Sequence, residues 1–266
     1  MHLAGNATVQ EFDPYQQQQA GTVTGPVTGS QFQYANTHHL GEKVDLADGR
    51  SFRYGIVNGS TNLVAGTLNL PPAEKANHYE INPASAVTNF TTVNSLTVTL
   101  GATAATAGEY NEGQLIFSSG NNQGMTYGIS YNPAASSSAS LTLTLYDFLQ
   151  NSVATGDTVD LVHNQWINVV QSAASASSQT TRPAGVAMVS ATTNYGVWLA
   201  TKGIAPCIAD GTVAVGTELV ASSGTAGAVT GRSTTWSTAV AQIVVGKAGL
   251  QSVIATNSKP MLLSID

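Results

Sequence analysis

The chain has 266 residues, of which only 9% are charged, a net charge of −6 and a single cysteine, Cys207. That length can bury a sizeable core, as one large domain or as two or three small ones. Nine Lys and Arg spread singly offer no clustered cations for phosphate, which argues against nucleic acid as a partner, and one cysteine excludes an intrachain disulfide and any multi-cysteine zinc site.

An ordinary globular domain is roughly 25% charged. Here Ser, Thr, Asn and Gln must wet the surface instead, and hydroxyl-rich faces cost less to desolvate than charged ones when their hydrogen bonds are replaced. Such a surface suits a protein that becomes part of an interface. No apolar run reaches membrane-spanning length and no signal peptide is read at Met1. The expectation is a chain made and folded in the cytoplasm, without a membrane anchor.

Residues 1–40 hold four consecutive glutamines and a run of Gly, Thr and Pro, too many breakers for a core. The segment reads as a flexible tail or as an extended arm that orders on a neighbour. Four spaced aromatics, Phe12, Tyr15, Phe32 and Tyr34, favour the arm, because isolated aromatics anchor well in pockets. Residues 43–46 and 52–57 alternate around the hairpin signal Asp48-Gly49. A further strand over 67–70 stops at Pro71-Pro72, and residues 72–77 allow one helical turn at most. No long helix is expected anywhere.

The clearest strands lie between 88 and 171. Leu96, Val98 and Leu100 face one side with Thr97 and Thr99 on the other, and Leu141, Leu143 and Leu145 repeat this with Thr142 and Thr144. Shorter runs over 113–117, 125–131, 157–162 and 169–171 complete the set. Residues 172–181 are a low-complexity Ser/Ala stretch, read as a linker or a long surface loop. The last third reads as short apolar runs separated by glycine turns: 195–207, then 209–220, where Val213 and Val215 point one way and Thr212 and Ala214 the other, then 224–231, 241–248 and 261–265. The expected fold is all-β, two or more small β-barrel or β-sandwich domains with an extended N-terminal arm. Its division is arm 1–40, β-rich 41–171, linker or loop 172–185 and C-terminal barrel-like domain 186–266.

Catalytic chemistry is sparsely signalled. The histidines, His2, His38, His39, His78 and His163, are scattered through loops and presumed edges, and the adjacent pair would point to opposite faces of a strand. Asp157 with Asp160, and Asp45 with Asp48, read as turn formers and solvated strand residues rather than acid and base. Nucleophile-elbow, P-loop and dinucleotide fingerprints are absent, as is an EF-hand ligand series. Cys207 reads as a small buried hydrophobe. No catalytic residue, metal ligand or cofactor is assigned.

The succession from Trp198-Leu199 through Asp210-Gly211, Val213 and Val215 to Val245-Gly246-Lys247-Ala248 resembles the small C-terminal β-barrel of tailed-bacteriophage virion structural proteins, notably head decoration or cement proteins. Residues 146–149, 157–162 and 169–171 are similar to a middle barrel of the same proteins. The resemblance implies a non-enzymatic protein on the outer capsid surface of a virion. Its partner would be the major capsid protein, and it would form a homotrimer and stabilise the shell, with Phe12, Tyr15, Phe32 and Tyr34 as contact residues. The alternative is a host- or glycan-binding head or tail fibre component, which would need an exposed aromatic patch such as Tyr110 to Glu112 or Trp166. A major shell subunit is disfavoured for want of a long helix.

Overall fold

The computed structural model describes residues 18–19, 38–174, 182–232, 243–250 and 257–266. Within them the chain is 41% strand and 3% helix, so the all-β expectation holds. The strands are β1 (Gln18–Gln19), β2 (Lys43–Asp45), β3 (Ser51–Ile56), β4 (Leu68–Leu70), β5 (Ser95–Thr99), β6 (Gln114–Phe117), β7 (Thr126–Tyr131), β8 (Ser140–Leu145), β9 (Val159–Val162), β10 (Val170–Gln171), β11 (Gly185–Ala187), β12 (Tyr195–Ile208), β13 (Glu218–Ala221), β14 (Val229–Gly231), β15 (Gly246–Ala248) and β16 (Ser258–Ser264). Two single 3₁₀ turns, Ala76–His78 and Phe90–Thr92, are the helical content among the described residues.

Two antiparallel sheets result. The larger, a curled half-barrel, runs β10-β4-β11-β12-β16-β15-β13-β14, with β3 and β1 also paired to β12 and β2 to β3. The smaller runs β5-β8-β7-β6-β9. They draw on the chain unevenly: residues 18–19, 43–70 and 170–264 supply the large sheet, and 95–162 supplies the whole of the small one. The small sheet is thus inserted between β4 and β10, which pair with each other as Val170↔Leu70 and Gln171↔Asn69. Residues 172–184 join β10 to β11, and both of these pair with β4. Of the first 37 residues only Gln18 and Gln19 are described, paired with Gly196 and Tyr195.

Alternation explains the small sheet. The two runs expected to be near copies are cross-strand partners, Leu96↔Leu143 and Val98↔Leu141, so their leucine faces merge in one core with Leu115, Phe117 and Ile129. The hairpin at Asp48-Gly49 also forms, with Gly49 at φ +85° and β2 paired to β3.

The last third departs from expectation. Residues 195–208, read as the first of the short runs (195–207), form one 14-residue strand. Its first half is buried on both faces, because Trp198 and Ala200 enter the core inside the half-barrel while Val197 and Leu199 enter a second cluster with Val57, Leu63 and Val169. Gly203, at φ +84°, bends this strand without ending it. Val213 and Val215 do not share a face: the chain turns at Gly216, leaving Val213 buried and Val215 63% exposed. Cys207 is fully buried, as expected of a small hydrophobe.

Candidate functional site

The arm residues Phe12, Tyr15, Phe32 and Tyr34 lie outside the described residues. Three other features carry polar or apolar chemistry: a buried ionic cluster, a hydroxyl-covered sheet face and an exposed apolar face.

The cluster forms where the chain leaves the large sheet and returns to it. Pro71-Pro72 ends β4, and Glu74, Lys75 and the 3₁₀ turn bearing His78 follow; His163 directly follows β9; Glu109 and Tyr110 sit on the turn before β6. His163 donates from Nδ1 to Glu74 (2.8 Å) and from Nε2 to Glu109 (3.1 Å). Both acceptors are carboxylates, so both ring nitrogens carry protons and the ring is an imidazolium. Burial works against that charge, but the bonds to Glu109 and Glu74 outweigh it and raise the pKa. Burial likewise disfavours an ionised Glu109. It is outweighed by hydrogen bonds from His163, from Lys75 (2.6 Å) and from the Thr106 amide (2.7 Å), which hold the carboxyl at about 2.

His163 also stacks on Tyr110, with ring centroids 4.6 Å apart and planes 13° from parallel. Tyr110 hydrogen-bonds His78 at Nδ1, and His78 donates from Nε2 to the Thr103 carbonyl (3.1 Å). A carbonyl only accepts, so His78 is the neutral Nε2–H tautomer with Tyr110 as donor; burial lowers its pKa accordingly. Two carboxylates therefore balance Lys75 and His163 within one closed set. Chemically the cluster is a clasp: it binds the outgoing connection to the returning one and has its polar atoms committed to each other and to backbone.

Several expectations change here. His78 and His163, read as scattered loop and edge residues with a surface or interface role, are buried. Tyr110 is fully buried and Asn111 2% exposed, so residues 110–112 are not an exposed aromatic patch. Trp166 is half-buried under the Arg53 guanidinium, 5.0 Å from its ring centroid, and Trp198 is core. Asp157 and Asp48 behave as turn formers, accepting from the Ala154 amide (3.0 Å) and the Arg50 amide (3.1 Å), whereas Asp160, within β9, accepts from the distant Glu80 amide (2.6 Å). Among the described residues no group of three His, Cys, Asp or Glu is arranged to hold a metal, and no helix is long and apolar enough to cross a membrane.

The hydroxyl face lies on the small sheet, opposite its leucine core. Ser95↔Thr144, Thr97↔Thr142 and Thr99↔Ser140 are cross-strand pairs, and the Thr97 and Thr142 hydroxyls are 2.9 Å apart. Strands β5, β7 and β8 contain no charged residue.

The apolar face lies on the outer side of β12 and β16. Ile204↔Leu262 and Pro206↔Pro260 are direct partners. Proline has no amide hydrogen, so the proline pair must sit at a non-hydrogen-bonded position; Ile204 and Leu262, two residues away, share that class, where side chains approach closely. Ile204 is 62% exposed and Leu262 50%. Sequence reasoning missed this face because residues 203–208, Gly-Ile-Ala-Pro-Cys-Ile, include no polar residue to mark which side of the strand meets solvent. No protein-family model matches the chain, and no curated protein or solved structure is similar to it.

Proposed function

We propose that this chain is a non-enzymatic structural protein that binds other protein surfaces, and specifically a virion decoration or cement protein that clamps the outer face of a capsid. The observation that carries the reading is the hydroxyl face on β5 and β8. Six Ser and Thr in three cross-strand pairs offer a regular array of neutral hydrogen-bonding groups with no charge to desolvate. Bound to an assembled lattice and not to free subunits, such a face stabilises the lattice by mass action. The non-enzymatic part of the reading is supported by the ionic cluster, whose polar groups are spent on holding the two connections together. The virion part is supported by the resemblance of the last third to phage decoration proteins.

The test is co-sedimentation with undecorated heads of a tailed phage, using the full chain, a Thr97→Lys/Thr142→Lys variant and a chain lacking residues 1–40. Saturable binding with a rise in head stability to heat, lost in the lysine variant and weakened by the truncation, is the expected result. An absence of binding to any shell, with retention on immobilised glycan, would overturn it in favour of the host-binding component.

A further inference from the structure

We propose that copies of this chain associate head to tail, the apolar face of β12 and β16 in one copy receiving the bend at residues 146–148 of the next. This inference is independent of the capsid reading.

Two patches of opposite character support it. The first is the outer ladder of Ile204 and Leu262, extended by Pro206 and Pro260. Lys202 lies beside it on β12, and Lys247 is the register partner of Leu262 on β15. Both lysines are exposed and neither makes an ion pair among the described residues. These are interior strands of the large sheet, so the patch has no edge strand to blunt. Antiparallel sheets with one solvated face carry polar residues there, and an apolar ladder left exposed among the described residues and flanked by two exposed lysines marks an interaction surface.

The second patch is Tyr146-Asp147-Phe148. It directly follows β8 and is held between fixed points, with the Tyr146 amide on the Gly128 carbonyl (3.0 Å) and the Leu149 amide on Val93 (3.1 Å). Leu149 is buried, which forces Tyr146 and Phe148 outward at 60% and 52% exposure, with Asp147 exposed between them. Two rigidly presented aromatics around a carboxylate have the chemistry that an apolar ladder between two lysines accepts.

The occupant of the face is a second copy because charge is segregated along this chain. Residues 74–163 hold seven carboxylates against Lys75 and the His163 imidazolium, so the inserted segment carries a net charge of −5, while in the rest of the chain the eight carboxylates are matched by eight Lys and Arg. The small sheet of one copy is therefore drawn to the lysine-flanked face of another. The two patches differ, so the contact is heterologous and generates a ring or an open chain of subunits rather than an isologous pair.

The experiment is sedimentation velocity of the purified full chain across a concentration series, with Leu262→Lys, Phe148→Ser, Asp147→Lys and Lys247→Glu variants. The wild type is expected to associate with concentration, and each single variant to weaken association about tenfold or more. The Asp147→Lys/Lys247→Glu double variant should recover, since each copy again offers opposite charges. An equal mixture of Leu262→Lys and Phe148→Ser should give dimers and nothing larger, because one intact patch survives in each. Near-UV circular dichroism checks that each variant is folded, and the two charge variants carry the test if either apolar variant is not. A wild type that stays monomeric to its solubility limit, or variants that associate as tightly as it does, would overturn the proposal.

Discussion

Replacing Glu109 with glutamine should cost about 3 kcal/mol at pH 5.5, and two routes lead to that figure. A carboxyl held at about 2 instead of 4.5 has gained, by linkage, of order 3 kcal/mol in its ionised form relative to the unfolded chain. Removing one partner of a buried ion pair costs roughly 3–5 kcal/mol, because the other charge is left uncompensated. The lower end applies: the Lys75 side chain is 29% exposed and can turn to water, whereas that of His163 is 3% exposed and cannot. For a chain of this size the loss lowers the melting temperature by roughly 6–12 °C.

The pH dependence separates this mechanism from a generic packing defect. Glu109 has a depressed pKa, so its contribution is complete above about 4.5 and is lost as pH falls towards 2. Urea titrations at pH 5.5, 4 and 2.5 should therefore show the gap between wild type and Glu109→Gln closing as acid is added. His163 has a raised pKa, so its contribution is complete below 6.5 and is lost as pH rises through the folded value. The wild type should weaken on the alkaline side, and the variant, with one carboxylate fewer around His163, should begin to weaken at lower pH. A gap below about 1 kcal/mol at pH 5.5, or one that stays constant down to pH 2.5, would refute the clasp.

Leu143→Ala, fully buried opposite Leu96, should cost about 2–5 kcal/mol by urea denaturation; a loss under 1 kcal/mol would mean that the leucine faces do not form one core. Gly203→Ala should cost roughly 1–3 kcal/mol, because the residue is held at φ +84° and a Cβ would lie 2.9 Å from the Arg50 Cα. An unchanged melting temperature would contradict the bend in β12. Burial pushes the Cys207 thiol up to about 12, so it should ignore an aromatic disulfide reagent in native buffer and react with one equivalent after unfolding. Prompt reaction in the native state would place it elsewhere than the core.

What could be read in the sequence followed the number of faces each strand buries. Strands β5 and β8 bury one face, so period two survives and Leu96, Val98, Leu141 and Leu143 announce themselves. The first half of β12 buries both, through Trp198 on one side and Leu199 on the other, and alternation vanishes there. Beyond it, residues 203–208 are apolar on both sides, so nothing in the sequence marks Ile204 as the exposed one, and the ladder went unrecognised. Turn chemistry was read well where a single residue sets it: Gly49, in the hairpin expected at Asp48-Gly49, takes its positive φ.

The clasp had no local signal. His163 is 89 residues from Glu74 and 54 from Glu109, so each looks like an isolated polar residue in a loop. What brings them together is the insertion itself. Because β4 and β10 are neighbours in the large sheet, the chain must leave and return within one strand spacing, about 5 Å. Closing a loop of about 100 residues costs on the order of 4 kcal/mol plus a constant, and the core of the small sheet can supply that whatever residue stands at 74, 109 or 163. The ionic cluster then has only side chains to order. Its contribution falls on the junction rather than on either core, and for that reason pH should act first on how the inserted sheet is held and only afterwards on whether it is folded.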